Sequence, residues 1–249
     1  MALSLAVMAC LSAAPGDQAE ALACSRDAML VFDGSVSMAA MGYGIKAPPR
    51  IAEARDAMAE VLPKVAPLRR IGLLVYGPGM GDVCGGIDVK FAPIEDAADP
   101  ILDALRQIAP TGLTPLTASV HEAANVLEHE TRPGIVVLVT DGSETCGGMP
   151  CQLGAELAAT SDDLTVHVIG FRLVYDPLSW NSIEAFREAN DAIRCMAEET
   201  GGLYVETETV EELSEALKVT LGCALIGSGE NGRQVHGVAQ RILSVGSMG

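Results

Sequence analysis

The sequence predicts an α/β protein: a doubly wound, mostly parallel six-stranded sheet with one antiparallel edge strand and helices on both faces. Three observations carry this. Apolar residues make up 49% of the 249 residues and aromatics only 4%, a balance suited to buried aliphatic strands covered by Ala- and Leu-rich helices. Apolar runs of strand length alternate with stretches of helical spacing, the order that builds parallel sheets with right-handed crossovers. Two of those runs end on an aspartate, Asp33 and Asp141.

Ala-Met-Leu-Val-Phe-Asp at residues 28–33 reads as the first strand, and residues 50–65 then space Ile51, Ala54, Met58, Val61 and Leu62 along one helical face. Ile-Gly-Leu-Leu-Val-Tyr at 71–76 is the second strand. A Gly-rich loop separates it from a shorter strand over 87–91, a spacing that suits a hairpin and makes this third strand the antiparallel edge. Helices are expected over 99–108 and 116–130, with Pro115 where a first-turn proline is welcome. Residues 134–141 are continuously apolar up to Thr-Asp and read as the central strand. A fifth strand follows at 164–171, then a helix around 183–199, a short strand at 203–206 and a closing helix over 210–221.

This length accommodates one α/β domain with a full core, and little remains for a second. The domain is placed at 24–223, after a probable signal peptide over 1–23 and before a Gly- and Ser-rich tail over 224–249. The leader reading rests on a short apolar run followed by the small-x-small sites Ala19-Glu-Ala21 and Ala21-Leu-Ala23. The run lacks a basic flank, so an ordinary apolar N-terminus competes with it; it is too short to span a bilayer. Leu-Ala-Cys at 22–24 also permits a lipid anchor on Cys24. The expected location is periplasmic or extracellular.

Of seven cysteines, removal of the leader takes Cys10 and leaves six, an even number that points to disulfides in an exported protein. Cys146 and Cys151 flank a turn-forming Gly-Gly-Met-Pro and are expected to close a small loop. Cys195, in a helical stretch, equally suits a buried free thiol. The formal charge of -17 repels phosphate backbones and anionic lipid at long range, which makes nucleic acid and acidic membranes poor partner candidates and a cation a better one. The plainer reading of that charge is solubility.

In an open parallel sheet, ligands bind beyond the carboxyl ends of the strands, where Asp33 and Asp141 are expected. Asp-Gly-Ser-Val-Ser at 33–37 places three oxygen-bearing side chains at alternate positions of one loop, the donor type that a hard divalent cation requires. Either aspartate alone could equally be a helix cap.

Asp-x-Ser-x-Ser after the first strand, Thr114 in Gly-Leu-Thr-Pro-Leu at 112–116, and Thr-Asp-Gly at 140–142 together resemble the metal-ion-dependent adhesion site of von Willebrand factor A domains. The resemblance runs over roughly residues 28–221. Thr-Asp-Gly-Ser-Glu-Thr-Cys-Gly-Gly-Met-Pro-Cys at 140–151 further resembles a subgroup of bacterial exported members. It implies a metal set of Asp33, Ser35, Ser37, Thr114 and Asp141 around a divalent cation, Mg²⁺ first and Mn²⁺ or Ca²⁺ as alternatives. Hydroxyls would contact the ion, and the aspartates would do so directly or through water. It further implies a protein partner that presents a Glu or Asp carboxylate to the ion. Val36 departs from the Gly that relatives often carry there, and a β-branched residue resists positive φ.

Other residues have plainer readings. Glu144 faces the site or is a solvated loop carboxylate. His167 reads as a hydrogen-bonded sheet residue, and His121 and His129 share no tight helical face and do not suggest zinc. Gly-Pro-Gly-Met-Gly at 77–81 reads as a hairpin loop, while Met38, Met41 and Tyr43 are either core or an apolar rim. The expected function is a non-enzymatic adhesion or scaffolding module with no catalytic residue. A Mg-dependent hydrolase or phosphatase on the same strand-end site is the alternative, disfavoured because the first loop lacks a second acid and no histidine stands as a base. A third reading makes the metal site vestigial and the segment at 146–151 the binding surface.

Overall fold

The computed structural model describes residues 25–41, 47–79, 84–173 and 182–223. Residues 1–23, expected above as a signal peptide, Cys24, Tyr43 and the expected tail over 224–249 lie outside these residues.

Six strands, β1 (Asp27–Asp33), β2 (Ile71–Tyr76), β3 (Ile87–Ile94), β4 (Gly134–Thr140), β5 (Leu164–Phe171) and β6 (Tyr204–Thr207), form one sheet in the order β3-β2-β1-β4-β5-β6. Only the β2–β3 pair is antiparallel. β1 and β4 are buried along nearly their whole length, as continuously apolar central strands must be when helices cover both faces. β3 alternates half-buried and exposed residues along most of its length, the pattern of an edge.

Among the described residues six helices cover the sheet: α1 (Arg50–Val65), α2 (Ala98–Arg106), α3 (Leu116–Val126), α4 (Pro150–Thr160), α5 (Ile183–Glu199) and α6 (Val210–Leu221). Side-chain alternation splits the core between the two faces. Leu30 and Phe32 of β1 pack with α1, α2 and α6; Met29 and Val31 pack with α3, α4 and α5. Strand order runs outward from β1 through β2 on one side and from β4 through β5 on the other, so the switch point lies between β1 and β4. The loops beyond that point hold Asp33 and Asp141, the place where open α/β sheets bind ligands.

Three expectations are corrected. The helix foreseen to 130 ends at Val126, because Glu128 adopts a left-handed φ of 56° and turns the chain. Helix α4 had no counterpart in the sequence reading; Pro150 opens it at the first turn. Cys146 and Cys151 do not pair. Helix α4 carries Cys151 to α5, where it bonds Cys195, and Cys146 bonds Cys84 of the β2–β3 connection. Cys195 is therefore not a free thiol.

Candidate metal centre

Asp33 ends β1 fully buried. Its carboxylate accepts the backbone N–H of Ser35 at 2.8 Å and the hydroxyl of Thr140 at 2.7 Å. The first contact folds the serine loop back onto the strand end; the second ties β1 to β4. The loop then makes a short 3-10 turn, Val36–Ala39. Ser37 donates to Asp141 Oδ1 at 2.6 Å, so the 2.9 Å contact between the Ser35 and Ser37 hydroxyls has Ser35 as donor.

The loop preceding α3 is stitched to the same place through its backbone. Thr111 N–H donates to Gly34 O at 3.0 Å and Val36 N–H to Gly112 O at 3.2 Å. Thr114 N–H donates to the Thr145 hydroxyl at 2.8 Å, and Thr145 N–H returns to Thr114 O at 3.1 Å. Two glycines permit this convergence. A Cβ on Gly77 (φ 101°) would stand 2.4 Å from Ser35 N, and one on Gly112 (φ 76°) would stand 2.0 Å from Gly77 O, contacts that no side chain tolerates.

Asp33, Ser35, Ser37 and Asp141 thus form one hydrogen-bonded cluster, and the Thr114 backbone is tied to Thr145, four residues beyond Asp141. Glu144 builds the loop: its two oxygens accept Thr117 N–H at 2.8 Å and Cys146 N–H at 2.7 Å, the former an unpaired donor of the first turn of α3. Val36 takes no positive φ and its side chain is 60% exposed, so the β-branched residue fits the loop without strain. Met38 belongs to the core, whereas Met41 is 64% exposed.

The sequence reading missed Arg50. Its Nη1 donates to Asp141 Oδ2 at 2.9 Å. A signal was present: a cation at the first residue of a helix opposes the macrodipole and needs another reason to be there. Thr140 was noted only as the neighbour of Asp141, yet its hydroxyl also accepts from Tyr76 at 3.0 Å.

The charge balance favours a cation. Burial first, and the nearby charge of Asp33 second, push the Asp141 carboxyl up to about 6, against the hydrogen bonds from Ser37 and Arg50. Two buried carboxylates beside two hydroxyls are an all-oxygen donor set that suits Mg²⁺, Mn²⁺ or Ca²⁺. Among the described residues no three His, Cys, Asp or Glu gather as a metal site. The residues present fit a hard divalent ion.

A doubly wound sheet with an oxygen-lined cluster at its switch point defines the class: the fold is that of a von Willebrand factor type A domain. The profile described as von Willebrand factor type A domain matches residues 28–144. The chain is 28% identical over 213 residues to the uncharacterized protein YwmD of Bacillus subtilis (strain 168), covering 82% of this chain and 88% of that one. It is 43% identical over 72 residues to YwmC of the same organism, 28% of this chain and only 31% of the relative.

Solved structures agree on the fold. An aerotolerance-related membrane protein from Bacteroides fragilis superposes with a TM-score of 0.57 at 18% identity, over 79% of this chain and 98% of that one. The pilus adhesin SpaC from Lactobacillus rhamnosus GG gives 0.57 at 14% identity, over 88% of this chain and 31% of that one. Proximal thread matrix protein 1 from the mussel byssus, in a form with a zinc-occupied MIDAS motif, gives 0.51 at 18% identity, over 79% and 47%.

Proposed function

We propose that the chain is a metal-dependent protein-binding domain whose Asp33, Ser35, Ser37, Thr114 and Asp141 hold one divalent cation, Mg²⁺ first. When bound, the ion supplies an electrophilic position for a Glu or Asp carboxylate of a partner protein. Asp33 sets the serine loop, Ser35 and Ser37 offer neutral oxygens that leave the ion's charge only partly quenched, and Asp141 closes the cluster from β4. The observation that carries this reading is the Ser35–Ser37–Asp141 hydrogen-bond chain at the switch point, beside buried Asp33.

A non-enzymatic role accords with the three histidines among the described residues. His129 bonds Ser161 at 2.8 Å, His167 accepts from Leu203 N–H at 3.0 Å, and His121 lies 3.4 Å from Asn125, so each is engaged away from the cluster. Export accords with the disulfides Cys84–Cys146 and Cys151–Cys195, and among the described residues no helix is long and apolar enough to cross a membrane. Adhesion accords with structural neighbours such as SpaC and the minor pilin PilB from Streptococcus sanguinis.

Calorimetric titration of EDTA-stripped protein with Mg²⁺ and Mn²⁺ tests the reading. Saturable uptake that weakens in Ser37→Ala and Thr114→Val is expected; no uptake, or uptake unchanged by both substitutions, would remove it. Affinity capture from envelope extract with and without EDTA then tests the partner.

A further inference from the structure

Asp141 is approached from two sides by groups of different kinds. Oδ1 accepts the Ser37 hydroxyl at 2.6 Å and Oδ2 accepts Arg50 Nη1 at 2.9 Å. The Asp141 side chain is fully covered and that of Arg50 is 18% exposed, so the pair is shielded from solvent. Arg50 opens α1, and its backbone N–H donates to Ala40 O at 2.9 Å, which fixes it to the end of the serine loop. Its Nε is buried without a hydrogen-bond partner among the described residues. A cation set against a helix N-terminus, with one donor unsatisfied, is locally unfavourable. What it gains is the contact with Asp141.

We propose that Arg50 is the resident counter-charge of the metal centre, a positioning residue that occupies Asp141 in the metal-free protein and sets how tightly the site takes a divalent ion. This rests on the metal-binding reading above. Without an ion, the guanidinium compensates one of the two buried carboxylates, Asp33 and Asp141. An ion gathered by Ser35, Ser37 and Asp141 lies across a single carboxylate from that guanidinium, and the two positive charges repel. Arg50 therefore supports the metal-free fold and weakens metal uptake. A merely structural arginine would act differently, since its loss would loosen the loop and weaken both.

The test uses the full chain, stripped with EDTA, as wild type, Arg50→Gln and Arg50→Lys. Mn²⁺ affinity is read by calorimetry and melting temperature is read with EDTA and with saturating Mn²⁺. Arg50→Gln is expected to bind Mn²⁺ roughly ten-fold more tightly, the order that one screened charge at this range commands. It is also expected to melt below wild type in EDTA and to recover the difference with Mn²⁺. Arg50→Lys, which keeps the charge, should stay near wild type in both. Equal or weaker Mn²⁺ binding by Arg50→Gln, with wild type binding normally, would overturn the inference and leave the metal site standing. No binding by wild type would overturn both. If Arg50→Gln is unfolded in EDTA, folding driven by Mn²⁺ supports the inference and failure to fold with Mn²⁺ overturns it.

Discussion

The hydroxyl of Tyr76 donates to the hydroxyl of Thr140 at 3.0 Å, joining the ends of β2 and β4 across β1. Thr140 passes its own proton to Asp33 at 2.7 Å, so three strand ends are bound by two side-chain hydrogen bonds beneath the cluster. Burial first, and the charge of Asp33 second, hold the Tyr76 phenol well above its ordinary range. It therefore remains a neutral donor.

Thr140→Val removes a donor to a buried carboxylate and the acceptor for Tyr76. The expected loss is about 2 kcal/mol in urea unfolding, with weaker Mn²⁺ uptake because Asp33 loses its anchor. Tyr76→Phe removes one neutral bond, about 1 kcal/mol, and should leave metal affinity nearly unchanged. Equal effects of the two substitutions on metal affinity would show that Thr140 does not position Asp33.

The Cys84–Cys146 and Cys151–Cys195 bridges should separate stability from site geometry. Cys84–Cys146 closes 62 residues and clamps the loop carrying Glu144 and Thr145, which holds Thr114. Cys151–Cys195 closes 44 residues and joins α4 to α5. Loop-closure entropy assigns each about 4 kcal/mol. Cys84→Ser with Cys146→Ser is expected to lower both melting temperature and Mn²⁺ affinity, whereas Cys151→Ser with Cys195→Ser should lower melting temperature alone. Identical metal titrations for the two pairs would contradict this.

Much of the molecule was legible because its signals are local. β1 and β4 announce themselves as apolar runs that end on aspartate, and α1, α5 and α6 as long periodic segments whose bounds fall where the spacing places them. Helix α4 was not legible: only Leu153 and Leu157 mark its buried face among small residues, and a Gly-Gly-Met-Pro start reads as loop. Disulfide partners were not legible either, since Cys84 and Cys195 come to Cys146 and Cys151 only through tertiary packing. The cluster was legible as oxygen donors at strand ends; Arg50 was not, because its partner is 91 residues away in sequence.

Arg172 follows β5 with a left-handed φ of 54°. Its Nη2 donates to Glu53 Oε1 at 2.7 Å and its Nε to Glu208 O at 3.0 Å, fastening α1 to the β6–α6 connection. Both side chains are about 10% exposed, so Glu53→Ala takes a covered guanidinium's carboxylate away and should cost roughly 3–5 kcal/mol. Replacing both residues with Met should recover part of that loss. Urea unfolding of the single and double variants measures the coupling, and additive losses would show that the pair is not coupled.

Acid sensitivity should come in part from His167, half-buried in the middle of β5. Its Nδ1 accepts Leu203 N–H at 3.0 Å, which the neutral ring can do only with its proton on Nε2. Burial first, then the positive charges of Arg69 and Arg26, hold its pKa down to about 4 from an ordinary 6.5. Between those values the unfolded chain binds more protons than the folded one. The contribution of neutral His167 is therefore complete above 6.5 and is lost as pH falls toward 4. Glu60, whose carboxyl is lowered by hydrogen bonds from Lys218, Lys64 and Ser214, adds its own loss only at lower pH, within the carboxylate range. Between about pH 7 and about pH 5 the Asp141 carboxyl, raised to about 6, takes up its proton first in the folded chain and opposes this loss. The difference between wild type and a His167 variant, rather than either melting curve alone, therefore reports the histidine. As pH falls across that interval wild type should lose melting temperature relative to His167→Gln, which has no titrating group at position 167. Parallel curves for the two proteins would show that protonation of His167 is not resisted by the fold.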